Sequence, residues 1–278
     1  MHLRCGDRVL DLSRPVIMGV LNVTPDSFSD GGRWFDPHDA VVHAKEMVQQ
    51  GAGIIDVGGE STRPGAEPVP EDEELRRVMP VIESISDLGV PLSIDSRKAA
   101  VAERAVRAGA SIVNDTLGEE SDGSIDRVAA GADVAICVMH SRGTPATMRE
   151  LNRYDDVVSD VKRFLERRAD RLKALGVPAD AIVLDPGFGF AKDPAQNLEM
   201  LRRFGEFADL GYPLVAGTSR KSFIGRVLDL PEEERVEGTI ATVVWAVREG
   251  ASIVRVHDVE QVARALKLVT AIREGLDE

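Results

Sequence analysis

The feature that most constrains this chain is a short apolar segment followed by a helix-like segment, repeated eight times. Each apolar segment is too short for a helix, is rich in Val and Ile, and does not alternate with polar residues, which is typical of strands buried on both faces of a parallel sheet. Eight such units in 278 residues predict a (β/α)8 TIM barrel, with an open, doubly wound α/β sheet as the alternative. The apolar segments cover residues 16–20, 53–57, 91–94, 111–113, 134–139, 181–184, 213–216 and 252–256.

Helical periodicity follows each apolar segment, and no linker or low-complexity tract interrupts the series. We therefore predict a single domain over residues 1–278. Residues 1–14 are expected to form an antiparallel β-hairpin that turns at Gly6 and Asp7 and closes the bottom of the barrel. The helix-like segments cover residues 37–50, 71–86, 97–108, 124–130, 156–175, 194–207, 231–248 and 259–275.

Polar or glycine-rich residues stand just past every strand-like segment. In a TIM barrel the carboxyl ends of the strands open onto one mouth, so these residues are expected to converge on a single site. An Asp or Asn at such a position can instead cap the following helix, but capping does not account for Lys, Arg and His at equivalent positions. The residues are Asn22, Gly58, Gly59, Glu60, Asp95, Asn114, His140, Asp185, Thr218, Ser219, Arg220, Lys221 and His257.

The charge of the chain excludes two classes of partner. A formal net charge of −13 repels polyphosphates and anionic lipid surfaces, so we expect no nucleic-acid partner and no membrane partner. An anionic ligand has to be bound locally, by basic residues at the predicted mouth, although each of these can equally form a surface salt bridge. They are Arg63, Arg220, Lys221, Arg255 and His257.

The start of the chain and its cysteines predict a cytoplasmic protein. The first residues lack the apolar segment of a signal peptide, and no stretch approaches the roughly 18 apolar residues of a membrane span. Cys5 and Cys137 have neither the number nor the spacing of a disulfide framework or a metal site. Cys137 is interpreted as a small core residue.

Two connections at the predicted mouth are longer than ordinary turns. They cover residues 22–32 and residues 58–65, the second continuing to Pro70. Both are rich in Gly, Pro and Ser, yet both carry carboxylates or an arginine together with hydroxyl groups. This composition is typical of lids that close over a reaction, with plain surface loops as the alternative.

Six sequence strings, in order along the whole chain, resemble the motifs of the dihydropteroate synthase family of pterin-binding enzymes. Such a series is far more specific than a single short glycine motif. The strings are MGVLNVTPDSFSDGG at 18–32, DVGGESTRPG at 56–65, SIDS at 93–96, DPGFGF at 185–190, GTSRKSFIG at 217–225 and RVH at 255–257.

The resemblance implies a transferase of folate biosynthesis and a target of sulfonamides. Its members join (7,8-dihydropterin-6-yl)methyl diphosphate to 4-aminobenzoate, forming 7,8-dihydropteroate and pyrophosphate. It also implies a homodimer packed through late barrel helices around residues 239–248 and 259–272. The alternatives are a pterin-binding paralogue without catalysis and the pterin-binding domain of a methyltransferase, although the latter has no use for a diphosphate site.

The resemblance also implies how the pterin is bound. The pterin edge presents a ring N–H and an amino group beside a carbonyl, which calls for fixed carboxylates, an amide and a cation. Asp95, Asp185, Asn114 and Lys221 match this set from four strand ends. Rigid strand ends keep such groups aligned. Met139 and Phe190 are expected to contact the ring faces, and Gly217 is a further matched residue that is expected to bind the substrate.

The diphosphate is expected on the other side of the mouth, where barrel enzymes often bind phosphate in the loops after strands 7 and 8. Arg255 and His257 are two residues apart on a strand and therefore point to the same side. Asn22 matches the family position that binds diphosphate and Mg²⁺. Because Mg²⁺ usually binds through few protein ligands plus water and phosphate, we expect the ion to arrive with the substrate.

The expected mechanism is cleavage of the carbon–oxygen bond before attack by the amine. Arg63, Lys221, Arg255 and His257 are assigned to catalysis, together with Asp30, whose carboxylate is expected to stabilise the cationic methylene. Thr62 and Arg63 are expected to close over the diphosphate, and Ser222 to bind the carboxylate of 4-aminobenzoate at the start of a helix.

Two segments depart from the family pattern. After Asn114 and Asp115 the chain reads TLGEESD, where a shorter turn rich in Ser and Gly is expected. After Met139 and His140 it reads SR rather than Met followed by Gln or Arg. Both segments lie on the pterin side of the mouth, so they bear on the floor of the pocket. His140 is interpreted as structural.

Overall fold

A computed structural model describes residues 1–24, 37–63 and 65–275. The strands in this part of the chain are β1 (His2–Cys5), β2 (Arg8–Asp11), β3 (Val16–Asn22), β4 (Ile54–Gly58), β5 (Leu92–Ser96), β6 (Ile112–Asp115), β7 (Ala135–Met139), β8 (Ile182–Asp185), β9 (Val215–Ala216) and β10 (Ile253–Val256). The α-helices are α1 (Pro37–Gln49), α2 (Glu71–Ile85), α3 (Ala99–Arg107), α4 (Ser124–Ala132), α5 (Val157–Ala174), α6 (Pro194–Arg202), α7 (Gly205–Ala208), α8 (Ser222–Leu228), α9 (Val236–Arg248) and α10 (Val259–Glu274).

The strands from β3 to β10 form one parallel sheet in the order β8-β7-β6-β5-β4-β3-β10-β9. Its two edge strands also meet, because Leu184 of β8 forms a parallel bridge with Leu214, just before β9. The Leu184 N–H donates to the carbonyl of Pro213 at 3.0 Å. The sheet thus closes into a barrel with helices outside it. The predicted TIM barrel is confirmed, and the open-sheet alternative is wrong.

Alternate residues of each barrel strand point inward, and the inward residues nearest the strand starts form an apolar layer. This layer is separate from the larger apolar cluster between the strands and the helices. Cys137 is 1% exposed within it, so its interpretation as a core residue holds. The layer comprises Met18, Ile54, Ile112, Ala135, Cys137, Val183, Val215 and Ile253.

The N-terminal hairpin covers this apolar layer from below. Strands β1 and β2 pair antiparallel across a turn at Gly6, which has a φ of +62°. Leu3 and Cys5 of β1, with Leu12, pack into the same cluster as the inward residues of the barrel. The predicted hairpin therefore closes the bottom of the barrel.

The polar residues predicted just past the strands fall into two groups: His140 and His257 directly follow β7 and β10, whereas others lie within the strands. Four of them occupy the last or last but one position of β3, β5, β6 and β8: Asn22, Asp95, Asn114 and Asp185. The following helices are capped elsewhere; the N-cap of α6, for example, is Asp193, whose carboxylate accepts the N–H of Gln196. Helix capping is therefore not the role of the strand-end residues.

Two predicted helices are divided. The segment predicted at 194–207 breaks between α6 and α7, where the fully buried ring of Phe204 stacks on Phe188 at 6.1 Å. The segment predicted at 231–248 starts with a 3-10 turn, and α9 begins at Val236. No helix in the described ranges is long and apolar enough to cross a membrane.

Candidate active site at the barrel mouth

A cluster of polar side chains from four strands lies above the apolar layer. The Arg255 Nε donates to Asp56 Oδ2 at 2.6 Å, and its Nη2 donates to Asp95 Oδ2 at 2.7 Å. Asp56 Oδ2 also accepts from Asn114 Nδ2 at 3.1 Å, and Asp95 Oδ1 accepts from the Thr116 hydroxyl at 3.3 Å. The barrel therefore brings together residues that are up to 199 positions apart in sequence.

Burial determines the electrostatics of the two carboxylates expected to bind the pterin. It raises the pKa of Asp95 to about 7, although Arg255 beside it acts in the opposite direction. It also raises the pKa of Asp185, against the Gly187 N–H and the charge of Arg255. A buried carboxylate is costly unless N–H or O–H donors satisfy it. Both carboxylates are therefore suited to a ligand edge rich in N–H donors.

Asp185 is held at the end of β8 with one oxygen engaged. Its Oδ1 accepts the N–H of Gly187 at 2.7 Å. A Cβ atom at Gly217 would lie 3.7 Å from Asp185 Oδ2, an ordinary contact distance, and no other described residue donates a hydrogen bond to this second oxygen. The predicted substrate-contact residue Gly217 thus lies beside this carboxylate oxygen.

Lys221 faces the same space from the turn after β9. Its Nζ lies 4.3 Å from the centre of the Phe190 ring. Burial, followed by the charge of Arg255, lowers the pKa of Lys221 to about 8, although the charges of Asp185 and Asp95 act in the opposite direction. Gly189 allows this approach, since a Cβ there would lie only 2.9 Å from Cδ of Lys221.

Met139 and Phe190 line the apolar wall expected for the ring faces. Met139 ends β7 and is 3% exposed, and Phe190 is 7% exposed in the loop after β8. They pack with Met148 and Ala191 in a small cluster distinct from the two larger apolar clusters. An apolar wall beside carboxylates suits a flat heteroaromatic ligand with polar edges.

The residues expected at the diphosphate lie on β3, on β10 and just after β10. His257 Nδ1 lies 3.0 Å from the Ser219 hydroxyl, and burial, followed by the charge of Arg255, lowers the pKa of His257 to about 3. The imidazole is therefore neutral, and in the tautomer in which Nδ1 accepts from the Ser219 hydroxyl its Nε2–H can donate to an anion. Asn22 is half-buried, and its amide makes no hydrogen bond to another residue in the described ranges.

The loop residues are less enclosed than the strand-end residues. Thr62 is half-buried, and the exposed Arg63 donates from Nη2 to Glu232 Oε1 at 2.7 Å. Ser222 is exposed as the first residue of α8. Asp30 lies outside the described residues. Arg63 belongs to the same electrostatic neighbourhood, since its charge contributes to the lowered pKa of Lys221.

Arg220, which the sequence places at the mouth, belongs to a different set of contacts. Its Nε donates to Asp258 Oδ2 at 3.0 Å, and its carbonyl accepts from Arg235. Arg220 has a φ of +55°. Arg220 therefore fixes the turn that carries Lys221. Its side chain forms an ion pair with Asp258, which is the salt-bridge alternative given for it in the sequence analysis.

Lys192 is a supporting residue that the sequence reasoning missed. It is 9% exposed, and its Nζ donates to the carbonyls of Gly187 and Phe190, each at 2.9 Å. His140 Nδ1 lies 3.0 Å away and acts as the third acceptor, since burial and Lys192 keep the pKa of His140 well below its usual value. The three ammonium protons are thus matched by three acceptors, and His140 has the structural role assigned to it.

The sequence signal for Lys192 was weak. A lysine two residues past a DPGFGF string reads as an ordinary surface residue, and its burial arises only because the loop folds back over β7. That fold requires a glycine at position 187, because the backbone there has a φ of +72° and a Cβ would lie 2.0 Å from the His140 carbonyl oxygen.

Replacing Lys192 by methionine is expected to lower the free energy of unfolding by about 1–3 kcal/mol, because buried acceptors lose their donor. Urea unfolding followed by circular dichroism measures this change. Lys173→Met, at a lysine paired on the surface with Asp170 at 2.8 Å, is the matched control and should change stability by less than about 1 kcal/mol. Equal effects of the two substitutions would contradict the role of Lys192 in stabilising the loop after β8.

The two segments that depart from the family pattern pack against each other. The Glu119 N–H donates to the Ser141 carbonyl at 2.8 Å, and Arg142 Nε donates to the Glu119 carboxylate at 3.0 Å. Gly118 permits this contact, because a Cβ there would lie 2.3 Å from the Ser141 carbonyl oxygen. The departures are therefore complementary, and Thr116, at the start of the first, joins the polar cluster through Asp95.

The mouth as a whole offers three kinds of interaction. Buried carboxylates accept hydrogen bonds, as does Asn114 Oδ1, which has no partner among the described residues. Met139 and Phe190 present an apolar wall, and Arg255 with the neutral His257 provides N–H donors for an anion. Such a site can bind a flat, donor-rich ring at one end and a phosphate group at the other.

Comparisons with known proteins agree with this description. Residues 18–257 match the family described as pterin binding enzyme. The dihydropteroate synthase of Bacillus subtilis is 52% identical over 260 residues, covering 93% of this chain and 89% of that protein. A Yersinia pestis dihydropteroate synthase structure with a sulfonamide drug has a TM-score of 0.92 at 44% identity and covers 98% of this chain and 99% of that one. A Thermus thermophilus dihydropteroate synthase structure with 4-aminobenzoate has a TM-score of 0.88 at 44% identity, covering 98% and 100%.

Proposed function

The chain belongs to the dihydropteroate synthase family, and on that premise we propose how its residues carry out the reaction. The enzyme is a transferase that condenses (7,8-dihydropterin-6-yl)methyl diphosphate with 4-aminobenzoate to give 7,8-dihydropteroate and pyrophosphate. The observation that carries the assignment of the site is the set of buried acceptors, Asp95, Asn114 and Asp185, beside the half-buried cation Lys221.

The acceptor set binds the pterin edge. The carboxylates of Asp95 and Asp185 take the ring N–H and amino donors, while Asn114 Oδ1 accepts a further hydrogen bond. Lys221 donates to the acceptor side of the ring, and Met139 and Phe190 contact its faces. An analogue that lacks the N–H donors leaves buried carboxylates unpaired, which gives strong discrimination.

Arg255, His257 and Asn22 hold the diphosphate, with Thr62 and Arg63 closing over it. Arg63 exchanges Glu232 for phosphate when it closes, a modest cost because the ion pair is exposed. A hard amide oxygen such as that of Asn22 suits Mg²⁺ bound mainly through phosphate and water, and no cluster of three or more acidic, His or Cys ligands occurs in the part of the chain described. When bound, Mg²⁺ neutralises charge on the diphosphate.

The bond between the exocyclic methylene and the diphosphate oxygen breaks first. Its electron pair leaves with pyrophosphate, where Arg255 and His257 stabilise the growing negative charge. The carboxylate of Asp30 stabilises the cationic methylene, which the dihydropterin ring delocalises. The lone pair of the 4-aminobenzoate amine then forms the carbon–nitrogen bond, and the amine loses a proton to solvent.

The second substrate binds above the pterin. Its carboxylate is bound by the hydroxyl of Ser222 and by backbone N–H groups at the start of α8, and its ring contacts Phe190. Its amine needs no strong base, because an aromatic amine is neutral near pH 7. This arrangement points the amine at the methylene carbon, where the new bond forms.

The test is pyrophosphate release from the pterin diphosphate, measured with and without Mg²⁺ and with and without 4-aminobenzoate. We expect release to require the metal and to accelerate with 4-aminobenzoate. If the protein binds pterin but releases no pyrophosphate under any condition, it is a non-catalytic paralogue. Loss of Asp30 tests the cation role separately, and full turnover by Asp30→Ala would remove that role.

A methyltransferase domain is the weaker alternative. Such a domain has no need for a diphosphate site, whereas this chain carries Arg255, His257 and the Thr62–Arg63 pair. The named relatives in the comparisons are synthases over nearly the whole chain. We also assign the enzyme to the cytoplasm, in keeping with the free thiols of Cys5 and Cys137.

We expect a homodimer packed through α9 and α10. Large apolar side chains are exposed on these helices, with Trp245 at 43%, Leu268 at 63% and Ile272 at 75%. Leu268 and Ile272 lie four residues apart and so share one helix face. Leu268→Glu is expected to shift the enzyme to monomer in sedimentation velocity, while Leu175→Glu, at a 43% exposed residue just after the end of α5, should not. Monomer at every wild-type concentration would contradict the dimer.

A further inference from the structure

Asp56 is a buried acid inside the barrel with no role in the assignments above. It is 0% exposed, lies in the middle of β4, and uses one oxygen, Oδ2, for both Arg255 Nε and Asn114 Nδ2. Its other oxygen, Oδ1, has no hydrogen-bond partner among the described residues. Asp56 thus joins the residue assigned to the diphosphate to a residue assigned to the pterin.

Asn114 is oriented by this contact. Because its amide nitrogen donates to Asp56, its oxygen is the atom left to interact with something else. That oxygen is buried and has no partner in the described part of the chain. The Asp56 contact therefore makes Asn114 an acceptor, which is the chemistry that the donor-rich pterin edge requires.

Arg255 is shared between two carboxylates in a way that bears on ligand binding. While Nε donates to Asp56, Nη2 donates to Asp95 Oδ2. A guanidinium group and the amino and ring N–H edge of a pterin present similar pairs of N–H donors to a carboxylate. The Arg255 side chain and the pterin edge therefore compete for the same Asp95 oxygen.

We propose that Asp56 is a positioning residue that retains Arg255 through Nε while Nη2 is transferred from Asp95 to the diphosphate, so that pterin and diphosphate binding reinforce each other. A pterin edge on Asp95 releases Nη2 for phosphate. Conversely, phosphate on Nη2 frees Asp95 for the pterin. This inference rests on the proposed function, because it concerns the two halves of that substrate.

The coupling must be reciprocal, since each ligand changes the affinity of the other by the same factor. One charge-assisted hydrogen bond, from Arg255 Nη2, is transferred from Asp95 to phosphate. We therefore expect each fragment to change the affinity of the other by a factor of about ten, within the usual range for coupled sites. The factor depends on Asp56, because Arg255 without this anchor has no fixed position from which to exchange partners.

The experiment uses the substrate as two separate fragments. Isothermal titration calorimetry at fixed Mg²⁺ measures the Kd of 6-hydroxymethylpterin with and without inorganic pyrophosphate, and the reverse. In wild type each ligand should tighten the other about tenfold. In Asp56→Asn this factor should fall to about one, even after allowance for weaker binding of each fragment, because the coupling factor is a ratio.

A matched control separates positioning from general stability. Asp126 of α4 is also 0% exposed and is paired with Arg168 and Arg171, but it lies outside the barrel interior. Asp126→Asn should retain the coupling. If Asp56→Asn does not fold, Arg255→Lys replaces it. Lysine has a single nitrogen, so it has no second nitrogen to transfer from Asp95 to phosphate while the first stays on Asp56, and this variant should bind pyrophosphate without coupling.

Three results would overturn the inference. These are independent binding of the two fragments in wild type, undiminished coupling in Asp56→Asn or in the folded Arg255→Lys variant, and equal loss of coupling in Asp126→Asn. Failure of wild type to bind either fragment would instead remove the proposed function and this inference with it.

Discussion

Replacing Lys221 by methionine is expected to lower kcat/KM for the pterin diphosphate by roughly 10²–10³-fold, the usual cost of removing a preorganised donor from a buried site. Lys221 is the cation that faces Asp185 and Asp95, and its Nζ lies 4.3 Å from the Phe190 ring. Methionine preserves the apolar stem but removes the charge and the donors. Pyrophosphate release in a steady-state assay measures the effect.

The control for this substitution is a lysine that lies away from the mouth. Lys162 on α5 pairs with Asp209 at 2.8 Å, and Lys162→Met should leave kcat/KM within about threefold, since exposed ion pairs contribute little. An active Lys221→Met enzyme would show that the pterin is held without this cation, and the assignment of Lys221 would be wrong.

The pH dependence of the reaction follows from the same residue. Burial lowers the pKa of Lys221 to about 8, so the fraction carrying the charge is high at pH 7 and falls as the pH rises through about 8. The kcat/KM of the free enzyme should therefore decline on the alkaline side. In Lys221→Arg the charge persists, since a guanidinium stays protonated there, and the alkaline decline should move to higher pH even if the rate is lower. Lys192, whose pKa burial lowers to about 7, is present in both enzymes and cancels in the comparison.

The features that the sequence could predict are the eight strands, which follow from hydrophobic periodicity, and the residues that end them. The hydrophobic pattern of strands buried on both faces of a parallel sheet differs clearly from that of amphipathic helices. The eight strands, and the convergence of Asp95, Asn114 and Asp185 at their ends, could therefore be predicted. The pairing of side chains was not. That Arg255 would donate to both Asp56 and Asp95 depends on inward orientation across three strands, and the strand spacing alone does not determine it.

Contacts between loops were the least predictable part. Lys192 becomes buried only because the loop after β8 folds over His140, and Arg63 pairs with Glu232 across 169 positions of sequence. The contact of Glu119 with Arg142 explains two departures from the family pattern together, because each segment supplies what the other needs. In a single sequence the two segments appear only as separate departures from the family pattern, because their contact cannot be seen.

Asp185→Asn is expected to weaken binding of 6-hydroxymethylpterin by roughly 10²-fold while leaving the fold intact, because a site built for donors strongly rejects a mismatched group. Asparagine has the same shape, and its oxygen can still accept the Gly187 N–H that Asp185 Oδ1 accepts at 2.7 Å. Its amide nitrogen, however, replaces the Oδ2 beside Gly217. A donor then faces the pterin donors, and the attraction becomes repulsion.

The stability of this variant should move in the opposite direction from its affinity. Burial raises the pKa of Asp185, so the ionised carboxylate is less favourable in the folded protein than in the unfolded chain at neutral pH. The neutral amide removes that cost, and Tm should be unchanged or higher. Asp193→Asn is the matched control, since asparagine serves equally well at the N-cap of α6 and should preserve both Tm and pterin affinity. Calorimetry and thermal unfolding on the same samples separate the two effects. If Asp185→Asn kept its affinity, or lost it only together with its fold, then Asp185 would be a structural residue of β8 and not the acceptor that selects the pterin.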